Sequence, residues 1–538
     1  MPALQREGNW TSERSVAGEH NPWTIIGVIS IATFMVVLDS SIANVSLAHI
    51  AGSLSASYDE AAWVLTSFLV ANAVVIPVSG WLADVVGRKR YYMFSVALFT
   101  LSSLLCGMAP NLTFLIIARV LQGIGGGGLA PVEQSMMADT FPPSKRGPAF
   151  AAYGIVVIVG PILGPSLGGW ITDNYSWHWV FLINVPIGIL SLTLVGLFVD
   201  EPKALIEQRK RMTERGLKVD FIGFALIALF LGCLEITMDR GQRDDWFSDP
   251  GITAAAITAG VALLCFIPWE LTRDEPIVRI DLLRRGNFAI SNIFMLLIGL
   301  ILFGTTQFIP QLLQEVLGYT ATDAGLALTM GGIATIVMMP FAGALTGKVD
   351  ARWLIGLSLA MQGFALWNMS TLNTMMSFND AALARMIQSV GMPFMFVPIT
   401  AVAYVGLRPN ENNQASALLN VSRNLGGTMG ISFAQTMLAR RGQVHQAQYV
   451  ETLNPLNPNY THGINALTHG LMARGMSEGA ASHAAVGVIY QRLGQQASML
   501  SYIDVFHVMM WMVFISLPLV ILMRAPKHDG GHHAAVEM

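Results

Sequence analysis

Long apolar runs, each about the twenty residues that cross a lipid bilayer as one helix, recur along this whole chain. Only 12% of the 538 residues are charged, about half the share found in an ordinary soluble domain. A β-barrel is disfavoured because its strands alternate over segments of about ten residues. We therefore predict an all-α membrane protein with about fourteen spans. The predicted spans are 24–47, 62–83, 91–109, 112–135, 149–170, 179–199, 220–238, 251–270, 288–312, 323–346, 353–370, 381–405, 413–438 and 503–523.

The positive charges follow a pattern that predicts how the chain is oriented in the membrane. Lys and Arg cluster in alternate connections, for example at 88–90, 203–218 and 273–285, whereas the connections at 48–61 and 371–380 contain neither. By the positive-inside rule, the basic connections and both termini are cytoplasmic.

The first and second parts of the chain repeat one another at a shift of 263–266 residues. Two related bundles that flank a midplane cavity are a common architecture of secondary transporters. The matching positions are Pro77, Gly80 and Leu82 with Pro340, Gly343 and Leu345; Arg119, Gln122 and Gly125 with Arg385, Gln388 and Gly391; and Gly160 and Gly164 with Gly426 and Gly430.

The repeat divides the chain into two six-helix bundles joined by a middle section with two extra spans. The predicted parts are a cytoplasmic tail at 1–21, an N-terminal bundle at 22–199, a basic loop with the two extra spans at 200–287, a C-terminal bundle at 288–525 and a tail at 526–538. A long polar outer loop interrupts the second bundle at 439–502, and the pattern at 478–500 predicts one amphipathic helix there. Two alternatives are open for this loop: it docks a partner protein, or it only extends into solvent.

Asp39 lies inside the first predicted span, where a carboxylate costs roughly 2.5–3.5 kcal/mol on insertion scales. Protonation removes most of that cost, so a carboxyl at this depth is suited to carrying a proton. Arg119 lies inside the fourth span and cannot discard its charge, which makes Asp39 a candidate partner that protonation would release. The alternative for Asp39 is a packing role with Ser41 or Asn44 bound to the carboxyl. The alternative for Arg119 is the capping of backbone carbonyls.

Further polar residues inside predicted spans are candidates for proton coupling or substrate binding. Gln122 belongs to the same repeated pattern as Arg119, and Arg385 is the counterpart of Arg119 in the second bundle. Asn44 and Glu235 complete this set, and Glu235 falls near the outer end of the first extra span. Because the extra spans have no repeat partner, a peripheral position with a local role for Glu235 is an open alternative to coupling.

The segment GWLADVVGRKR at 80–90 follows the second predicted span at its cytoplasmic end. Glycine permits close helix approach and a tight turn. Asp84 is placed to cap a helix or to bind Arg88, which would form a breakable latch on an inner gate. The plainer alternative is that the basic cluster fixes the topology. The candidate gate residues are Gly80, Asp84, Gly87, Arg88, Lys89 and Arg90.

The segment GPILGPSLGGW at 160–170 lies in the outer half of the fifth predicted span. Glycines four apart share one helix face and allow close packing, while prolines remove backbone donors and bend the helix. The pattern predicts a seal and a hinge, with ordinary small-residue packing as the alternative. The residues assigned to this motif are Gly154, Gly160, Pro161, Gly164, Pro165, Gly168 and Gly169.

In this order and spacing, the motifs resemble the major facilitator superfamily. GWLADVVGRKR resembles its inner-loop signature, ARVLQGIGG at 118–126 resembles the arginine-containing signature of its fourth helix, and GPILGPSLGGW resembles the antiporter signature of its fifth helix. LDSSIANVSL at 38–47, together with two extra central helices, resembles the fourteen-helix drug:proton antiporter branch, the EmrB/QacA type. The long outer loop is similar to that of the EmrB subgroup.

The resemblance implies residue roles. Asp39 would be the membrane-embedded acid and Arg119 the coupling-associated arginine, while Asp84 and Arg88 would form the gate latch. Gly347 stands where the second bundle would need the latch aspartate, so a symmetric second latch is doubtful. The seal of the antiporter helix would be formed by Gly160 and Pro161.

The resemblance also implies a function. It is proton-coupled efflux of hydrophobic or cationic compounds by alternating access in a Gram-negative inner membrane. The implied partners are the drugs, protons, membrane lipid, a periplasmic adaptor of EmrA type and an outer-membrane channel of TolC type.

Other functions stay open on the sequence. An exporter of a specific metabolite or siderophore, or a nutrient importer, would share the fold, although an importer is not expected to carry the glycine-proline pattern. An enzyme is disfavoured because no nucleophile, base and orienting acid can be assembled. We expect neither a metal nor a cofactor, with the proton gradient as the energy source, because the three cysteines lie in apolar spans without metal-ligand spacing.

Overall fold

The computed structural model describes residues 21–201, 206, 207, 209, 214, 220–273, 276–408 and 411–523. Within these residues the regular elements are helices, apart from one isolated bridge between Thr346 and Val349. The all-α prediction is therefore confirmed. The predicted tails and basic loop fall almost entirely outside the described residues.

The first six predicted spans form helices, several of them in two pieces. The helices are α1 (Pro22–Val45), α2 (Leu47–Ser53), α3 (Tyr58–Val86), α4 (Arg88–Gly107), α5 (Leu112–Gly127), α6 (Leu129–Thr140), α7 (Pro143–Asn174), α8 (His178–Leu182) and α9 (Asn184–Phe198). The extra spans form α10 (Phe221–Arg240) and α11 (Pro250–Leu271).

The second bundle follows the same plan as far as its last two spans, which lengthen greatly. Its helices are α12 (Gly286–Gln311), α13 (Ala321–Leu345), α14 (Ala351–Ser370), α15 (Phe378–Gly391), α16 (Pro393–Ala403), α17 (Asn412–Thr452), α18 (Pro458–Met472), α19 (Glu478–Ser516) and α20 (Leu519–Leu522). A π-helical turn at Leu312–Val316 prolongs α12.

Local sequence signals begin these helices. The Ser57 hydroxyl accepts from the Glu60 backbone N–H at 3.2 Å, and the Glu60 carboxylate accepts from the Ser57 backbone in return. Thr320 and Asp323 form the same capping box at the start of α13. Since 57 and 320 differ by the repeat shift, the internal repeat extends to the helix caps.

Eleven helical segments have the length and composition of a membrane span. The three other predicted spans correspond to α4, α14 and the first part of α17, which are helical but less apolar. In α4 the lower hydropathy reflects three basic residues in the first turn, Arg88, Lys89 and Arg90. The count of fourteen spans stays a prediction.

The same packing arrangement occurs in both bundles. In the first, α1 packs on α7, α3 on α5, and α4 on α5 and α9. In the second, α12 packs on α17, α13 on α15, and α14 on α15 and α19. The bundles meet where α7 contacts α13 and where α17 contacts α3 and α6.

Glycine lets the paired helices of each bundle approach closely. A Cβ atom on Gly164 would overlap the Ser41 side chain of α1, and one on Gly168 would lie 2.9 Å from Ile42 Cγ2. In the second bundle, a Cβ atom on Gly426 would overlap the backbone carbonyl of Leu296 in α12. The repeated glycines thus form the same helix seam twice.

The two extra helices do not occupy equivalent places. α10 packs on α3 of the first bundle and on α17 of the second, whereas α11 packs mainly on α10. α10 is therefore part of the wall between the bundles, so a peripheral position is wrong for this helix.

The long polar segment at 439–502 is a helical hairpin rather than an irregular loop. α17 continues without a break to Thr452, α18 follows, and α19 runs from Glu478 straight into the last span. The predicted helix at 478–500 is present but is continuous with that span, whereas the extension of α17 to Thr452 and the helix α18 were not predicted. Hydrophobic periodicity did not reveal these helical parts, because a helix with little protein around it is polar on most of its sides.

Candidate functional site

Asp39 and Arg119 form an ion pair in the interior of the first bundle, and both residues are 0% exposed. Arg119 Nη1 donates to Asp39 Oδ2 at 2.6 Å. The other carboxylate oxygen accepts from Gln122 Nε2 at 2.9 Å and from Asn184 Nδ2 at 2.7 Å. Gln122 also donates to Ser103 Oγ at 2.7 Å. Three donors from α5 and α9 therefore hold the carboxylate of α1, and Gln122 also links this group to α4.

The guanidinium of Arg119 has further partners. Its Nε donates to the Val64 carbonyl at 3.0 Å, and its central carbon lies 4.2 Å from the Phe68 ring centroid and 5.5 Å from that of Phe181. The predicted pairing with Asp39 and the alternative of carbonyl capping therefore occur together. Removing one partner of a buried pair costs about 3–5 kcal/mol, because the other charge stays buried and uncompensated.

The structure decides between the partners considered for Asp39. The carboxylate is bound by Asn184 and not by Ser41 or Asn44, so the predicted packing partners were wrong. Ser41 instead faces Gly164 of α7, and Asn44 lines the central cavity. Asn184 was missed because it lies 145 positions away and an uncharged amide at the edge of a span gave no signal.

Helix α1 connects this ion pair to a cavity between the two bundles. Asp39 faces α5 and α9, whereas the neighbouring Ser40, Ser41 and Asn44 line the cavity. Asp39 is not itself a lining residue. If a change in the charge of Asp39 rotates or shifts α1, the cavity-lining residues of α1 move as well. Their contacts with a molecule in the cavity would therefore change.

The cavity has a volume of about 430 Å³ and is mainly apolar. Its aromatic and aliphatic walls come from α1, α3, α7, α12, α13 and α17, and it has few charged groups. The lining residues with charged or amide side chains are Asn44, Asn72, Glu235, Arg385, Gln388, Asn420, Arg423 and Asn424.

Glu235 reaches this cavity from the extra helix α10. It is 4% exposed, and both of its oxygens lie within hydrogen-bond distance of Thr428 Oγ1 in α17, at 3.0 and 3.1 Å. Periodicity alone could not give this orientation because α10 is apolar on nearly all sides. The acid belongs to the central wall and does not snorkel.

Arg385 occupies the position equivalent to Arg119 but has different neighbours. Its guanidinium donates to Gln388 Oε1 at 2.7 Å, to Thr305 Oγ1 at 2.9 Å and to Thr306 Oγ1 at 2.8 Å. None of the ion pairs in the described part of the chain includes it. The second bundle therefore keeps the arginine–glutamine pair of the repeat but replaces the aspartate by threonine hydroxyls.

A further acid lies inside the first bundle, and the sequence reasoning missed it. Glu133 on α6 is 0% exposed and falls within the fourth predicted span. The available signal was the rule that an ionisable residue inside a span is a functional candidate. Its surroundings differ from those of Asp39 because hydroxyl groups, and no cation of the described ion pairs, contact it.

The bundles are held together at the end that carries Arg88, which we call the basic end. Asn412 Nδ2 of α17 donates to Asp139 Oδ1 at 2.6 Å, and Asn413 of the same helix donates to Asp84 and accepts from Ser135. Gly80 lies directly against the Asn413 backbone, where a Cβ atom would be 2.9 Å from the carbonyl oxygen. These contacts close the basic end.

The structure gives Arg88 and Asp84 partners that the predicted latch did not include. Arg88 pairs with Asp139 at the end of α6, and its backbone N–H donates to Glu201 at 3.1 Å. Asp84 crosses to Asn413 in the second bundle. Asp139 was missed because it lies just beyond the predicted fourth span.

The other gate residues behave differently from one another. Gly87 has a φ of +101°, which is strained for any residue with a side chain, so the turn requires glycine. Lys89 donates to the Gly196 carbonyl at 3.0 Å, and Arg90 is exposed. Gly347 also adopts a positive φ, of 92°, so it is a turn residue and not half of a second latch.

A different acid at the basic end ties α17 to the segment before α12. Glu411 accepts from Arg285 Nη1 at 2.9 Å and from Nη2 at 2.8 Å, and Arg279 lies 3.6 Å away. Burial alone would raise the pKa of Glu411, but hydrogen bonds from Arg285 and from the Arg408 backbone outweigh it and lower the pKa. This carboxylate is ionised at neutral pH.

The glycine-proline motif serves two surfaces. Gly160, Gly164 and Gly168 face α1, whereas Gly154 faces Met339 of the second bundle. The Pro161 ring lines the cavity, and the Pro165 side chain lies outside the described residues. Gly169 has open space around its Cα, so it contributes no close packing. One helix, α7, therefore connects the helix seam, the cavity and the opposite bundle.

Comparison with known proteins gives the following similarities. A family model described as Major Facilitator Superfamily matches residues 29–431. The chain is 40% identical over 504 residues to the Multidrug export protein EmrB of Escherichia coli strain K12, covering 94% of this chain and 95% of that protein. It is 34% identical over 503 residues to the Fatty acid resistance protein FarB of Neisseria gonorrhoeae, covering 94% and 96% respectively.

Two solved structures share the fold. The human organic anion transporter MFSD10 matches with a TM-score of 0.57 at 13% identity, over 92% of this chain and 100% of that one. The proton:xylose symporter XylE matches with a TM-score of 0.56 at 14% identity, over 92% and 95% respectively. At such low identity these two likenesses show the fold alone.

Proposed function

The chain belongs to the major facilitator superfamily, and on that premise we propose that it exports multiple hydrophobic or cationic drugs in exchange for protons. It is a multi-pass membrane transporter and not an enzyme. One observation carries the proposal of proton coupling. A fully buried carboxylate–guanidinium pair lies behind α1, and the other side of the same helix lines an apolar cavity.

Protonation of Asp39 is the coupling event. It removes the negative charge that compensates Arg119, so the guanidinium is left with the Val64 carbonyl, Gln122 and two aromatic rings. The contacts of α1 with α5 and α9 weaken, and α1 shifts relative to the cavity. Drug and proton therefore bias the same two-state element, as coupling between two sites requires.

The two bundles alternate access by opening and closing at their ends. In this conformation the basic end is closed by the contacts of Asn412 and Asn413. The driving force is adequate, since one inward charge at 100 mV supplies about 2.3 kcal/mol, or roughly a fiftyfold gradient of a neutral drug. Exchange of one proton for one monocation gains nothing from voltage and runs on the pH gradient. No cofactor takes part in this scheme.

The proposal is tested in vesicles that contain the purified full chain. With an imposed proton gradient, we expect the fluorescent monocation ethidium to be pumped in the direction opposite to the proton. Addition of a protonophore together with a potassium ionophore collapses the pH difference and the voltage, and should stop the pumping. Pumping that continues unchanged after both are collapsed rules out proton-driven exchange.

We propose that Glu235 is the cavity carboxyl that binds cationic substrates, beside the two arginines, Arg385 and Arg423, that line the same cavity. Its carboxyl is the acidic group among the lining residues described here, and its single side-chain partner is a neutral hydroxyl, Thr428. We expect Glu235→Gln to reduce ethidium transport at least tenfold while a neutral hydrophobic substrate changes less than twofold. The measurement is transport of both substrates in the same vesicles, and an equal loss for both would contradict the assignment.

Two other transport functions are weaker. A nutrient importer of the same fold accounts for the gate but not for the glycine seam, which lies between α1 and α7 in the first bundle and between α12 and α17 in the second. An exporter of one metabolite or siderophore fits the fold, but the mainly apolar wall of the cavity favours hydrophobic substrates. Whole-cell accumulation of ethidium, with and without a protonophore, separates export from import.

We place the protein in a Gram-negative inner membrane with both termini cytoplasmic, from the positive-inside pattern and the relatives of this kind. The hairpin of α17, α18 and α19 then projects into the periplasm. Its surface includes exposed apolar residues such as Leu456, Val486 and Tyr490, which are 92%, 47% and 59% exposed. Exposed apolar groups on a projecting element fit a partner surface, so we assign the hairpin as the docking site for an adaptor of EmrA type, which would lead to a channel of TolC type.

Deletion of 445–498 tests this docking. The deletion preserves the salt bridge between Arg441 and Asp504, whose atoms are 2.5 Å apart, so α17 and α19 stay joined where they leave the bundle. We expect pumping in vesicles to stay within twofold of the parent, while drug resistance of whole cells and co-purification of the adaptor are lost. Full export to the medium that still needs the adaptor contradicts docking here.

A further inference from the structure

The hydrogen bonds around Glu133 define the protonation state of its carboxyl. The Tyr92 hydroxyl lies 2.6 Å from the Ile29 carbonyl oxygen and 3.1 Å from Glu133 Oε1. A phenol has one hydrogen to donate, and a carbonyl oxygen can only accept. Tyr92 therefore gives its hydrogen to Ile29, at the shorter distance, and its oxygen is left to accept. The contact with Glu133 Oε1 is then a hydrogen bond only if Glu133 is the donor.

The second oxygen of Glu133 fits the same protonation state. Thr33 Oγ1 donates to Glu133 Oε2 at 2.5 Å, so this oxygen acts as the carbonyl of a carboxylic acid. Among the described residues, the ion pairs leave Glu133 without a cation. An ionised carboxylate that is fully buried without a cation is strongly disfavoured, whereas a protonated one needs only hydrogen bonds.

The neighbouring helices bring no charge that changes this conclusion. Asp39 of α1 is compensated by Arg119, and Arg88 of α4 is paired with Asp139. Arg146 of α7 donates to the backbone carbonyl of Ala138. Other titratable groups on the elements packed against α6 include Asp84 of α3, Tyr91 of α4, Tyr153 of α7, Arg423 of α17, and Glu411 just before α17. Of these, Tyr153 interacts electrostatically with both Glu133 and Arg423.

The depth of Glu133 within the first bundle suits an intermediate site on a proton route. Thr33 precedes Asp39 by six residues on α1, and Glu133 precedes Asp139 by six residues on α6, each about 9 Å along a helix. Glu133 therefore lies between the depth of the Asp39 ion pair and the closed gate at the basic end. Thr33 lines the central cavity as well as contacting Glu133, so its hydroxyl connects the two.

We propose that Glu133 is a second proton-binding carboxyl of this transporter, which holds a proton in the conformation with the basic end closed and exchanges it with the cavity through Thr33. Its use in transport rests on the proposed drug–proton exchange. Its protonation does not, because that follows from the hydrogen bonds of Tyr92 and Thr33. Asp39 and Glu133 differ in kind, since the first is compensated by an arginine and the second by a proton.

Infrared spectroscopy of the purified full chain at neutral pH tests the protonation. The parent should show a carbonyl band of a buried carboxylic acid that disappears in Glu133→Gln and is unaffected by Asp173→Asn, a matched control at an exposed acid. Tyr92→Phe provides a second variant should Glu133→Gln fold poorly, because loss of that hydrogen bond shifts the band without removing it. A parent spectrum without the band, or a band unchanged in both variants, overturns the proposal.

Proton release on addition of ethidium tests the use in transport. We expect release from Glu133→Gln to fall to about half that of the parent, and release to vanish in the double variant with Asp39→Asn. Release from Glu133→Gln equal to that of the parent overturns this part. If the parent itself releases no protons, the proposed antiport fails, while the infrared result still decides the state of Glu133.

Discussion

Asp39→Asn is expected to reduce proton-driven export to the level of vesicles without protein, while the chain still inserts and folds. Asparagine carries no charge and cannot bind or release a proton as aspartate does. Arg119 therefore loses a compensating carboxylate whose charge protonation can remove. The bonds of Arg119 to the Val64 carbonyl and to Gln122, at 3.0 and 2.7 Å, remain and keep the helices packed. The measurement is ethidium transport in vesicles under an imposed pH gradient, with folded yield followed by size-exclusion chromatography.

Two controls make the Asp39 result specific. Asp173→Asn removes an exposed carboxylate, 68% exposed and 3.7 Å from His49, and should leave transport within twofold of the parent. Asp39→Asn combined with Arg119→Gln removes both charges, and should recover thermal stability lost by the single variant without restoring coupling, because an uncompensated buried charge costs about 3–5 kcal/mol. Transport by Asp39→Asn that still responds to pH would assign coupling elsewhere.

Arg88→Ala is expected to reduce export at least tenfold by opening the basic end. Arg88 is 4% exposed and compensates Asp139, whose other carboxylate oxygen holds Asn412 of the second bundle. Without the guanidinium, two carboxylates at this interface, Asp139 and Asp84, lose the positive charge of Arg88. A loss of about 3 kcal/mol is a factor of more than a hundred in the balance of the two conformations.

The gate prediction has a neighbouring control and a direct readout. Lys89→Ala removes the same charge one position later, from a side chain that reaches only the Gly196 carbonyl, and should change export less than twofold. Spin labels on Lys145 and Arg284, exposed residues at the basic ends of the two bundles, should move apart in Arg88→Ala and not in Lys89→Ala. An unchanged distance together with lost export would show that Arg88 acts on something other than closure.

Much of the architecture was predictable because it depends on local features. Apolar length predicted the helices, and the repeat shift predicted which positions in the two bundles correspond, including the glycines that form the same seam twice. The family followed from short motifs, and the comparisons confirm it. Asp39, Arg119 and Gln122 were identified because polar groups inside apolar segments are conspicuous.

The contacts between distant segments were less predictable. The sequence suggested that Arg88 binds Asp84, four positions away, and it did not suggest the ion pair of Arg88 with Asp139 that the structure shows. Glu235 looked peripheral, but α10 wedges between the bundles and turns the acid to the central cavity. Glu133 passed unnoticed near the end of a predicted span, although the rule that identified Asp39 applied to it equally.

The sequence by itself determined that this is a helical membrane protein made of two related bundles, with an acid and an arginine inside apolar segments. Those properties are set by the composition and spacing of residues within single segments. The tertiary structure decided the partners of each buried polar group: an arginine and two amides for Asp39, hydroxyls for Glu133, and Asp139 for Arg88. An apolar helix has nearly the same hydrophobicity on every side, so its rotation, and therefore the partner of each polar side chain, is set only when the other helices pack around it.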